Sequence, residues 1–353
     1  MQSILVTGGA GFIGSHTCLS LLKKGYSLYV VDSFVNSSKY SLSKVLKILE
    51  MDNFDAQKLL NIFPGDITNK TFLRDVFSKS IIDKKPIKSV IHFAGLKSVA
   101  ESVKYPILYW RSNFVGSLSL IETMIEFNCF TFVFSSSATV YGLCNKNPID
   151  EYAKLNPLNP YGNTKFTIEN LLKDLFNSKE LKFKIANLRY FNPVGAHSSG
   201  LIGEDPKGIP NNIFPIISKV AVGEIKELKV FGNDWPTIDG TGVRDYIHVM
   251  DLAEGHIKTL EYLINNDSQI VNLNLGTGIG TSVLELINTY QEVNKVKIPY
   301  QLVEKREGDV AELVANNNTA KQLIDWFPKK NLKDMCRDSY NWQVKNPNGF
   351  KVI

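Results

Sequence analysis

Hydrophobic and polar positions alternate in blocks along the first half of the chain. Short runs rich in β-branched and aromatic residues occur at 3–8, 27–33, 61–67, 88–95, 130–137 and 183–191. A longer stretch with apolar residues at helical spacing follows these runs. Strands that alternate with helices predict a parallel sheet with helices on both faces, and runs that are apolar throughout fit strands covered on both faces.

The rhythm breaks after Phe191, where the loop-rich segment AHSSGLIGEDPKGIPNN precedes mixed segments and short helices. We therefore predict an α/β protein with a Rossmann-type doubly wound parallel sheet in residues 1–191. A smaller, mixed α/β lobe that binds the substrate is predicted for 192–353. The region 244–256, with the apolar run RDYIHV at 244–249, is a candidate to return to the first sheet.

Charge and composition narrow the class of partner. The chain is 44% hydrophobic, and its net charge of +5 is not gathered into a long basic run. This distribution argues against nucleic acid and suits an acidic small molecule. No apolar stretch reaches membrane-spanning length, and the sequence enters a strand-like run without a basic leader segment. We expect neither a membrane partner nor a secretory leader.

The cysteines predict a reducing environment. Cys18, Cys129, Cys144 and Cys336 are widely separated, and none belongs to a C-x-x-C pair. This spacing indicates neither a zinc site nor a disulfide framework, so we expect no metal and a cytoplasmic location.

A glycine-rich turn joins the first strand to the first helix. The sequence TGGAGFIG places Gly9, Gly11 and Gly14 at G-x-G-x-x-G spacing, and Gly8 is an alternative first glycine. Bare backbone can approach a pyrophosphate here, and the helix N-terminus favours its negative charge. The next strand ends at Asp32, whose carboxylate would accept hydrogen bonds from an adenosine ribose and repel a 2′-phosphate. The pattern predicts NAD rather than NADP, with a ligand-free tight turn as the alternative.

Two later strand ends are predicted to lie at the same edge of the sheet. Asp66 and Ile67 end the third run beside the expected adenine, and the segment 93–95 brings bare backbone to the edge where open α/β sheets bind ligands. By contrast, GTGIG at 276–280 has the wrong spacing and indicates a simple strand-to-helix turn.

Ser137, Tyr161 and Lys165 form the candidate catalytic group. Ser137 ends the fifth run, while Tyr161 and Lys165 lie four residues apart at the start of a predicted helix, hence on one face. Taken alone, such a pair is usually a half-buried tyrosine beside a solvated lysine, and a serine run is usually a turn. Together with TGxxGxxG, however, the trio resembles the extended branch of the short-chain dehydrogenase/reductase family, whose catalytic residues are Ser, Tyr and Lys.

The chemistry explains these residue types. A phenol with a pKa of about 10 is a weak base at neutral pH, but a nearby ammonium and a positively charged nicotinamide both favour the phenolate. Tyr161 would exchange a proton with a sugar hydroxyl while hydride moves between the same carbon and NAD. Ser137 would hold the oxygen, and Lys165 would also bind the nicotinamide ribose.

Longer motifs extend the resemblance over nearly the whole chain. They are HFAGLKSVAESV (92–103), FSSSATVYG (134–142), LRYFNPVGAHSSGLIGEDPKGIPNN (188–212), FGNDWPTIDGTGVRDYIHVMDLAEGH (231–256) and REGDVAEL (306–313). In combination they are similar to the UDP-glucose 4-epimerase family. Ala138 and Thr139 stand where the related dTDP-glucose 4,6-dehydratases are expected to carry an Asp-Glu pair, which argues against dehydration.

The resemblance implies reversible conversion of UDP-glucose and UDP-galactose with tightly held NAD. Hydride would leave C4, the 4-keto sugar would rotate, and hydride would return to the other face without net redox change. C4 epimerisation of UDP-N-acetylglucosamine or UDP-glucuronate, and a non-catalytic NAD sensor, are the alternatives. Family members are often homodimers, and the helices at 106–128 and 161–178 are candidates for the interface.

The site residues follow from the matching motifs. Those implied for NAD are Gly8, Gly11, Phe12, Ile13, Gly14, Asp32, Ser33, Phe34, Val35, Asn36, Ser37, Asp66, Ile67, Phe93, Ala94, Gly95, Leu96, Lys97, Ser112, Ser137, Tyr161, Lys165 and Phe191. Those implied for the UDP-sugar are Lys97, Ser137, Tyr161, Asn192, Asn212, Phe231, Arg244, Arg306, Asp309 and Leu313.

Within the second set, the residue types suggest separate roles. Arg244 and Arg306 suit diphosphate oxygens through their forked donors. Phe231 would lie near the uracil, and Asp309 would accept a ribose hydroxyl. The alternatives are an ion-pair role for Arg244 and a core role for Phe231.

Two positions depart from the family pattern. Ser112 stands where bacterial epimerases often have an asparagine before Asn113, which weakens its expected cofactor contact. Leu313 stands where strict UDP-glucose epimerases typically have tyrosine. Because leucine is smaller, we expect some tolerance of an N-acetyl group at C2 of the sugar.

Overall fold

The computed structural model describes residues 2–143, 147–208, 210, 212–306 and 308–350, so the expectation for Cys144 lies outside the described residues. The strands are β1 (Ser3–Thr7), β2 (Ser27–Asp32), β3 (Leu60–Pro64), β4 (Ile87–His92), β5 (Thr131–Ser137), β6 (Lys184–Tyr190), β7 (Asn192–Val194), β8 (Leu228–Phe231), β9 (Val243–Arg244), β10 (Tyr246–His248), β11 (Gln269–Leu275), β12 (Thr281–Ser282), β13 (Tyr300–Val303) and β14 (Glu312–Leu313). The six runs predicted as strands correspond to β1–β6.

Helices follow most of these strands. They are α1 (Phe12–Lys23), α2 (Lys39–Met51), α3 (Lys70–Ile82), α4 (Val99–Lys104), α5 (Pro106–Tyr109), α6 (Gly116–Glu126), α7 (Pro160–Asn177), α8 (Ile213–Ala221), α9 (Val249–Asn265), α10 (Val283–Asn294), α11 (Asn318–Ile324) and α12 (Leu332–Lys345). A π-helical turn, Trp110–Val115, joins α5 to α6, and short 3-10 turns occupy Gln57–Leu59 and Ala138–Tyr141.

A seven-stranded sheet confirms the predicted Rossmann-type fold. Its order is β11-β6-β5-β4-β1-β2-β3, and β1 pairs in parallel with both β2 and β4. The chain therefore adds strands first on one side of β1 and then on the other. Ligands in open α/β sheets bind at the carboxyl ends of strands beside such a reversal. The loops after β1 and β4 lie at this point, and Phe93 donates its backbone N–H to the carbonyl of Thr7.

Burial on both faces of the sheet explains why β1 and β2 are predominantly apolar. All residues of β1 and β2 are buried, and the helices cover the sheet through a core that includes Leu5, Phe77, Leu120 and Phe132. Each large apolar side chain buried in this way contributes about 1.5–3 kcal/mol. The α7 helix joins this core through Ile168 and Leu172, which fixes the face that carries the candidate catalytic residues.

The chain divides into two compact units. The first contains Met1–Gly142, Lys154–Arg189 and Ala253–Leu273. The second contains Leu143–Ala153, Tyr190–Leu252 and Asn274–Ile353. The change of rhythm after Phe191 thus lies near one junction, whereas the exchanged segments 143–153 and 253–273 carry no clear signal in the sequence.

The strand that returns to the large sheet is β11, so the suggestion that RDYIHV does so was wrong. Within RDYIHV, β10 pairs in parallel with β7 and β9 lies between β12 and β14. The first turn of α9, up to Leu252, and these short strands belong to the second unit, and α9 from Ala253 onward belongs to the first. GTGIG leads from β11 to β12 and α10, in agreement with its interpretation as a turn.

The second unit has its own core of short strands and helices. The β8–β13 pair is parallel, and Phe214, Tyr246, Tyr290 and Met335 lie in the apolar cluster beneath α8, α10 and α12. None of the helices in the described part of the chain is long and apolar enough to cross a membrane. Among the described residues, no group of three or more His, Cys, Asp or Glu side chains could hold a metal ion.

Candidate functional site

The glycine turn after β1 is shaped by close backbone packing. Gly8 has a φ of +69°, and a Cβ atom there would lie 2.6 Å from the backbone nitrogen of Ala94. A Cβ atom on Gly14 would lie 2.3 Å from the carbonyl oxygen of Gly8. Larger residues at either position would force the turn apart, so the glycines keep a narrow cradle of bare backbone at the sheet edge.

The N-terminus of α1 opens at this cradle and fits an anionic group. Gly11 caps the helix without a side-chain hydrogen bond, and the first turn, which begins Phe12-Ile13-Gly14, contains no acidic residue. The first-turn N–H groups of a helix have no intrahelical partners, and they carry the positive end of the helix dipole. The donors and the shape therefore suit the pyrophosphate of a dinucleotide.

Asp32 is fixed at the end of β2 by its neighbours. One oxygen accepts the backbone N–H of Ala10 at 2.9 Å, and the other accepts the N–H of Phe34 at 2.9 Å and the hydroxyl of Ser37 at 2.7 Å. The carboxylate thus links the glycine turn to the loop after β2. Ser33, Val35 and Asn36 are exposed on that loop.

Asn113 organises the loop after β4, although it was not among the predicted site residues. Its side chain accepts the N–H of Leu96 at 2.8 Å and donates to the Leu96 carbonyl at 3.0 Å. It also donates to Thr164, which donates in turn to the carbonyl of Tyr161. The π-helical turn Trp110–Val115 places Asn113 in this position, so the loop is tied directly to the first turn of α7.

Other residues predicted for the cofactor occupy varied positions. Ile67 is buried, and its side chain fills the space where a Cβ atom on Gly116 would lie. Phe93 packs on His256 with the ring centroids 4.8 Å apart. Asp66, Gly95 and Lys97 are exposed and Ala94 and Ser112 are half-buried, whereas Phe191 is buried in the second unit.

Ser137 stands where β5 turns away from the sheet. Its Oγ accepts the Thr139 N–H at 3.2 Å and lies 3.0 Å from the Thr139 hydroxyl, which donates to it. With its lone pairs engaged by Thr139, the Ser137 hydroxyl is free to direct its own proton elsewhere. The 3-10 turn Ala138–Tyr141 thereby fixes the side chain that the sequence places at the catalytic position.

Tyr161 and Lys165 occupy the first turns of α7. The helix begins with Asn159, which accepts the N–H of Gly162, and with Pro160 at its first position. Lys165 is 4% exposed, and its Nζ donates to the carbonyl of Ser135 at 2.7 Å. The Nζ atom lies 5.9 Å from the centroid of the Tyr161 ring, so the predicted one-face arrangement is present.

Burial dominates the proton affinities of this pair. It raises the pKa of the Tyr161 phenol, while a hydrogen bond from Ser137 acts in the opposite direction. It lowers the pKa of the Lys165 ammonium to about 8, although the carboxylate of Glu169 opposes this change. In the chain by itself, desolvation is the largest effect on the pKa of the phenol, and the expectation that the ammonium and a bound nicotinamide favour the phenolate stays a prediction.

Four of the residues predicted for the UDP-sugar come together in the second unit. Arg306 lies over the Phe231 ring, 4.6 Å from its centroid, and bonds Asp309 at 3.0 Å. Arg244 approaches Asp309 at 3.7 Å and donates to the carbonyl of Val310. Burial lowers the pKa of Arg244, Asp309 raises it, and the positive charge of Arg306 lowers it further. One carboxylate serves two guanidinium groups, which leaves a positive surface beside an aromatic ring.

The remaining predicted residues flank this cluster or lie apart from it. Leu313 is the register partner of Arg244 across the β14–β9 pair. Asn192 begins β7 and donates its backbone N–H to the carbonyl of Asp245. Asn212 is exposed at the N-cap of α8, where its side chain donates to Glu204.

A second residue that sequence reasoning missed is Asp245, adjacent to Arg244. This buried carboxylate accepts hydrogen bonds from the N–H and hydroxyl of Thr277, from Gly278 and from Ala315. It anchors the strand of Arg244 to the GTGIG turn and to the residue two beyond Leu313. The sequence signal for this contact was an aspartate in one segment and a threonine followed by glycine in the other. The two segments are far apart in the sequence, so their contact could not be predicted from either one.

Comparison with known proteins identifies the family. The family model described as GDP-mannose 4,6 dehydratase matches residues 5–339. A UDP-glucose 4-epimerase of Yersinia enterocolitica is 49% identical to the chain over 350 residues, covering 99% of each. The chain belongs to the UDP-glucose 4-epimerase family.

Two solved epimerases share the fold. The UDP-glucose 4-epimerase of Bifidobacterium longum, in complex with NAD+ and UDP, is 44% identical with a TM-score of 0.90, covering 99% of this chain and 100% of that one. The enzyme of Stenotrophomonas maltophila, with bound NAD and formylated UDP-arabinopyranose, is 42% identical with a TM-score of 0.92, covering 98% of this chain and 99% of that one. Membership of the epimerase family thus holds over nearly the entire chain.

Proposed function

We propose that the chain catalyses the reversible epimerisation of UDP-glucose and UDP-galactose at C4 with NAD as its cofactor. The observation that carries this proposal is the arrangement of Ser137, Tyr161 and Lys165 at the carboxyl edge of a dinucleotide-type sheet. Family membership and the ligands of the two solved epimerases support it. Ala138 and Thr139, in place of an acidic pair, favour epimerisation over dehydration.

The first unit supplies groups for NAD. We assign the pyrophosphate to the glycine cradle and the N-terminus of α1, and the adenosine ribose to Asp32. The loop that Asn113 holds after β4 and the Lys165 ammonium would bind the remaining ribose and the carboxamide end. When bound, NAD accepts hydride from C4 of the sugar and returns it to the opposite face.

Tyr161 is the proposed acid and base at the C4 oxygen. The Ser137 hydroxyl has one proton to donate, because Thr139 engages its lone pairs. In the chain by itself this proton is directed to the phenol oxygen, which favours the phenolate, and with substrate bound it would turn to the C4 oxygen. The raised pKa of the phenol in the chain by itself means that positive charge from Lys165 and from the cofactor is needed for proton removal.

The second unit supplies groups for UDP. Arg244 and Arg306 suit the diphosphate, Phe231 the uracil and Asp309 a ribose hydroxyl, with Asn192 and Asn212 as further donors. Anchoring by UDP leaves the sugar free to turn. Leu313, next to Arg244 in the sheet register, is the proposed determinant of substrate breadth and would admit an N-acetyl group at C2.

A homodimer is the proposed assembly. Val103 and Ile107 are 62% and 77% exposed around α4 and α5, and Leu108 and Val115 extend the same apolar surface toward α6. A patch of this kind commonly marks a protein interface. Analytical ultracentrifugation of the parent and an Ile107→Asp variant tests the assembly.

The spread of charge along the chain argues against a role in binding nucleic acid. The buried free thiols of Cys18, Cys129 and Cys336 support a location in a reducing cytoplasm.

The central experiment is a substrate panel with the purified full-length chain. Product formation from UDP-galactose, UDP-N-acetylgalactosamine and UDP-glucuronate is followed by NMR, and NAD retained after purification is quantified. We expect turnover of UDP-galactose, slower turnover of the N-acetyl sugar, and loss of both in Tyr161→Phe. Absence of turnover with UDP-galactose, or full activity of Tyr161→Phe, would contradict the proposal. A Leu313→Tyr variant should lose only the N-acetyl sugar.

A further inference from the structure

A buried polar network lies beneath the catalytic residues and has no assigned role. Glu169 accepts two hydrogen bonds from Arg189, at 2.7 and 3.1 Å, and a further one from the Ser136 hydroxyl. The Arg189 guanidinium also donates to the hydroxyl of Tyr141 at 3.0 Å. All four residues are buried, at 5% exposure or less.

Stability alone is a weak reason for such a network. Removing two charges from water costs several kcal/mol each, and apolar replacement of a whole buried pair is often neutral or stabilising. Burial by itself would lower the pKa of Arg189, but Glu169 and Tyr141 raise it above its ordinary value. The Arg189 guanidinium therefore keeps its charge inside the protein, where it contacts the Glu169 carboxylate at 2.7 Å.

The network connects the two segments that carry the catalytic residues, the Ser137 turn and α7, through the neighbouring strand β6. Ser136 immediately precedes Ser137, and Tyr141 ends the 3-10 turn that follows it, so both ends of the Ser137 turn are held. Glu169 lies one helical turn beyond Lys165 and two beyond Tyr161 on α7. Arg189 on β6 bonds both Tyr141, after β5, and Glu169 on α7, so it fixes the position of α7 along the end of β5.

The hydrogen bond of Lys165 depends on the same position of α7 relative to β5. Its Nζ donates to the carbonyl of Ser135, next to Ser136, and its charge is opposed by burial and supported by Glu169. A shift of α7 along β5 would separate Nζ from this carbonyl and move the Tyr161 phenol away from Ser137. Misplacement of catalytic groups by about 1 Å can cost about 100-fold in rate.

We propose that Glu169, held by Arg189, is a positioning residue that sets the spacing between Ser137 and the Tyr161–Lys165 pair without contacting the substrate. The inference rests on the proposed C4 epimerisation. It predicts that loss of the carboxylate lowers the rate of the chemical step and leaves binding of the UDP portion unchanged.

Three variants of the full-length chain test this role. Glu169→Gln removes the charge but keeps the shape, and Glu169→Gln/Arg189→Met removes both charges so that no unpaired ion remains. Asp174→Asn, an exposed carboxylate on the same helix, is the matched control. Thermal unfolding, kcat and KM for UDP-galactose are measured for each, with Tyr161→Phe as the reference for loss of acid and base catalysis.

We expect kcat to fall about 10- to 100-fold in Glu169→Gln, with KM changed less than about threefold. In the double variant Tm should recover toward that of the parent, while kcat stays low. Asp174→Asn should match the parent. If kcat recovers together with Tm in the double variant, the network is purely structural and the inference is overturned.

Hydrogen–deuterium exchange provides a readout that does not depend on activity. Amides of the Ser137 turn and of the first turn of α7 should exchange faster in Glu169→Gln and in the double variant, but not in Asp174→Asn. Unchanged exchange in both would overturn the inference even if the parent is active. A parent chain without epimerase activity would instead overturn the proposed function, and the exchange result would still decide whether Glu169 positions the turn.

Discussion

The Nζ atom of Lys165 lies 2.7 Å from the carbonyl oxygen of Ser135, inside the protein and 4.9 Å from the centroid of the Phe134 ring. The carbonyl and the ring face are both partners for a cation, yet burial still lowers the Lys165 pKa to about 8. The protein thus buries the Lys165 ammonium beside Tyr161, although burial favours the neutral amine.

This position of Lys165 predicts a decline of activity above a pH of about 8. The unfolded chain holds the same proton to about pH 10.4, so the folded chain binds fewer protons between these two values. The free energy of unfolding should therefore rise with pH across that window, by up to about 3 kcal/mol. Urea denaturation of the parent and Lys165→Met isolates the contribution. A difference between them that stays flat with pH would contradict this prediction.

His92 predicts sensitivity to acid. Its ring bridges the hydroxyls of Thr7 and Ser117, and burial, with a smaller effect from the charge of Lys165, lowers its pKa to about 3. The unfolded histidine takes up a proton below a pH of about 6.5. Stability is therefore fully present above that pH and is lost progressively toward a pH of about 3, by up to about 5 kcal/mol. Denaturation of His92→Gln should show a shallower acid dependence than the parent, and an equal slope would refute the assignment.

Thr139 should matter through one hydroxyl. Replacing it with valine keeps the shape but removes the donor that engages Ser137 Oγ at 3.0 Å. We expect kcat to fall about 10-fold with little change in KM, because the Ser137 hydroxyl is no longer oriented by the hydrogen bond from Thr139. Thr123→Val is the control, since that buried hydroxyl bonds the Ser119 carbonyl on α6. Comparable losses of activity in both variants would point to a general effect of a lost buried hydroxyl.

Arg244 should act on binding. Arg244→Lys keeps one charge but removes the fork, so KM for UDP-galactose and the inhibition constant for UDP should rise about 10-fold or more. The effect on kcat should be smaller. Arg337→Lys, at an exposed arginine that bonds Asp334, controls for the substitution itself. If kcat falls while UDP inhibition is unchanged, the assignment of Arg244 to UDP is incorrect.

The sequence predicted those features that depend on nearby residues. The strands β1–β6 are continuous apolar runs, and the glycine cradle, Asp32 and the Tyr161–Lys165 face each lie within one strand–turn–helix segment. The residue types and the spacing of apolar positions within one segment are sufficient to predict such features.

Features that depend on distant partners were missed. The β11 strand contains Asn272 and Asn274, and these polar residues interrupt the apolar run that would have indicated a strand. Asn272 accepts a hydrogen bond from Asn187 on β6, and Asn274 donates to the carbonyl of Ile149. Glu169 and Arg189 are likewise ordinary charged residues in the sequence, and only the packing of α7 on β6 makes them a pair.

The π-helical turn at Trp110–Val115 requires a fixed number of residues between α5 and α6. A π turn accommodates one residue more than an α-helical turn, and that additional residue turns Asn113 toward Leu96 and Thr164. Deleting Ser112 would keep Asn113 and its partners Leu96 and Thr164 in the sequence, yet it would wind the helix tighter and rotate Asn113 by about 100°. A frame-preserving loss of one codon here should therefore do more harm than most substitutions of the same residue.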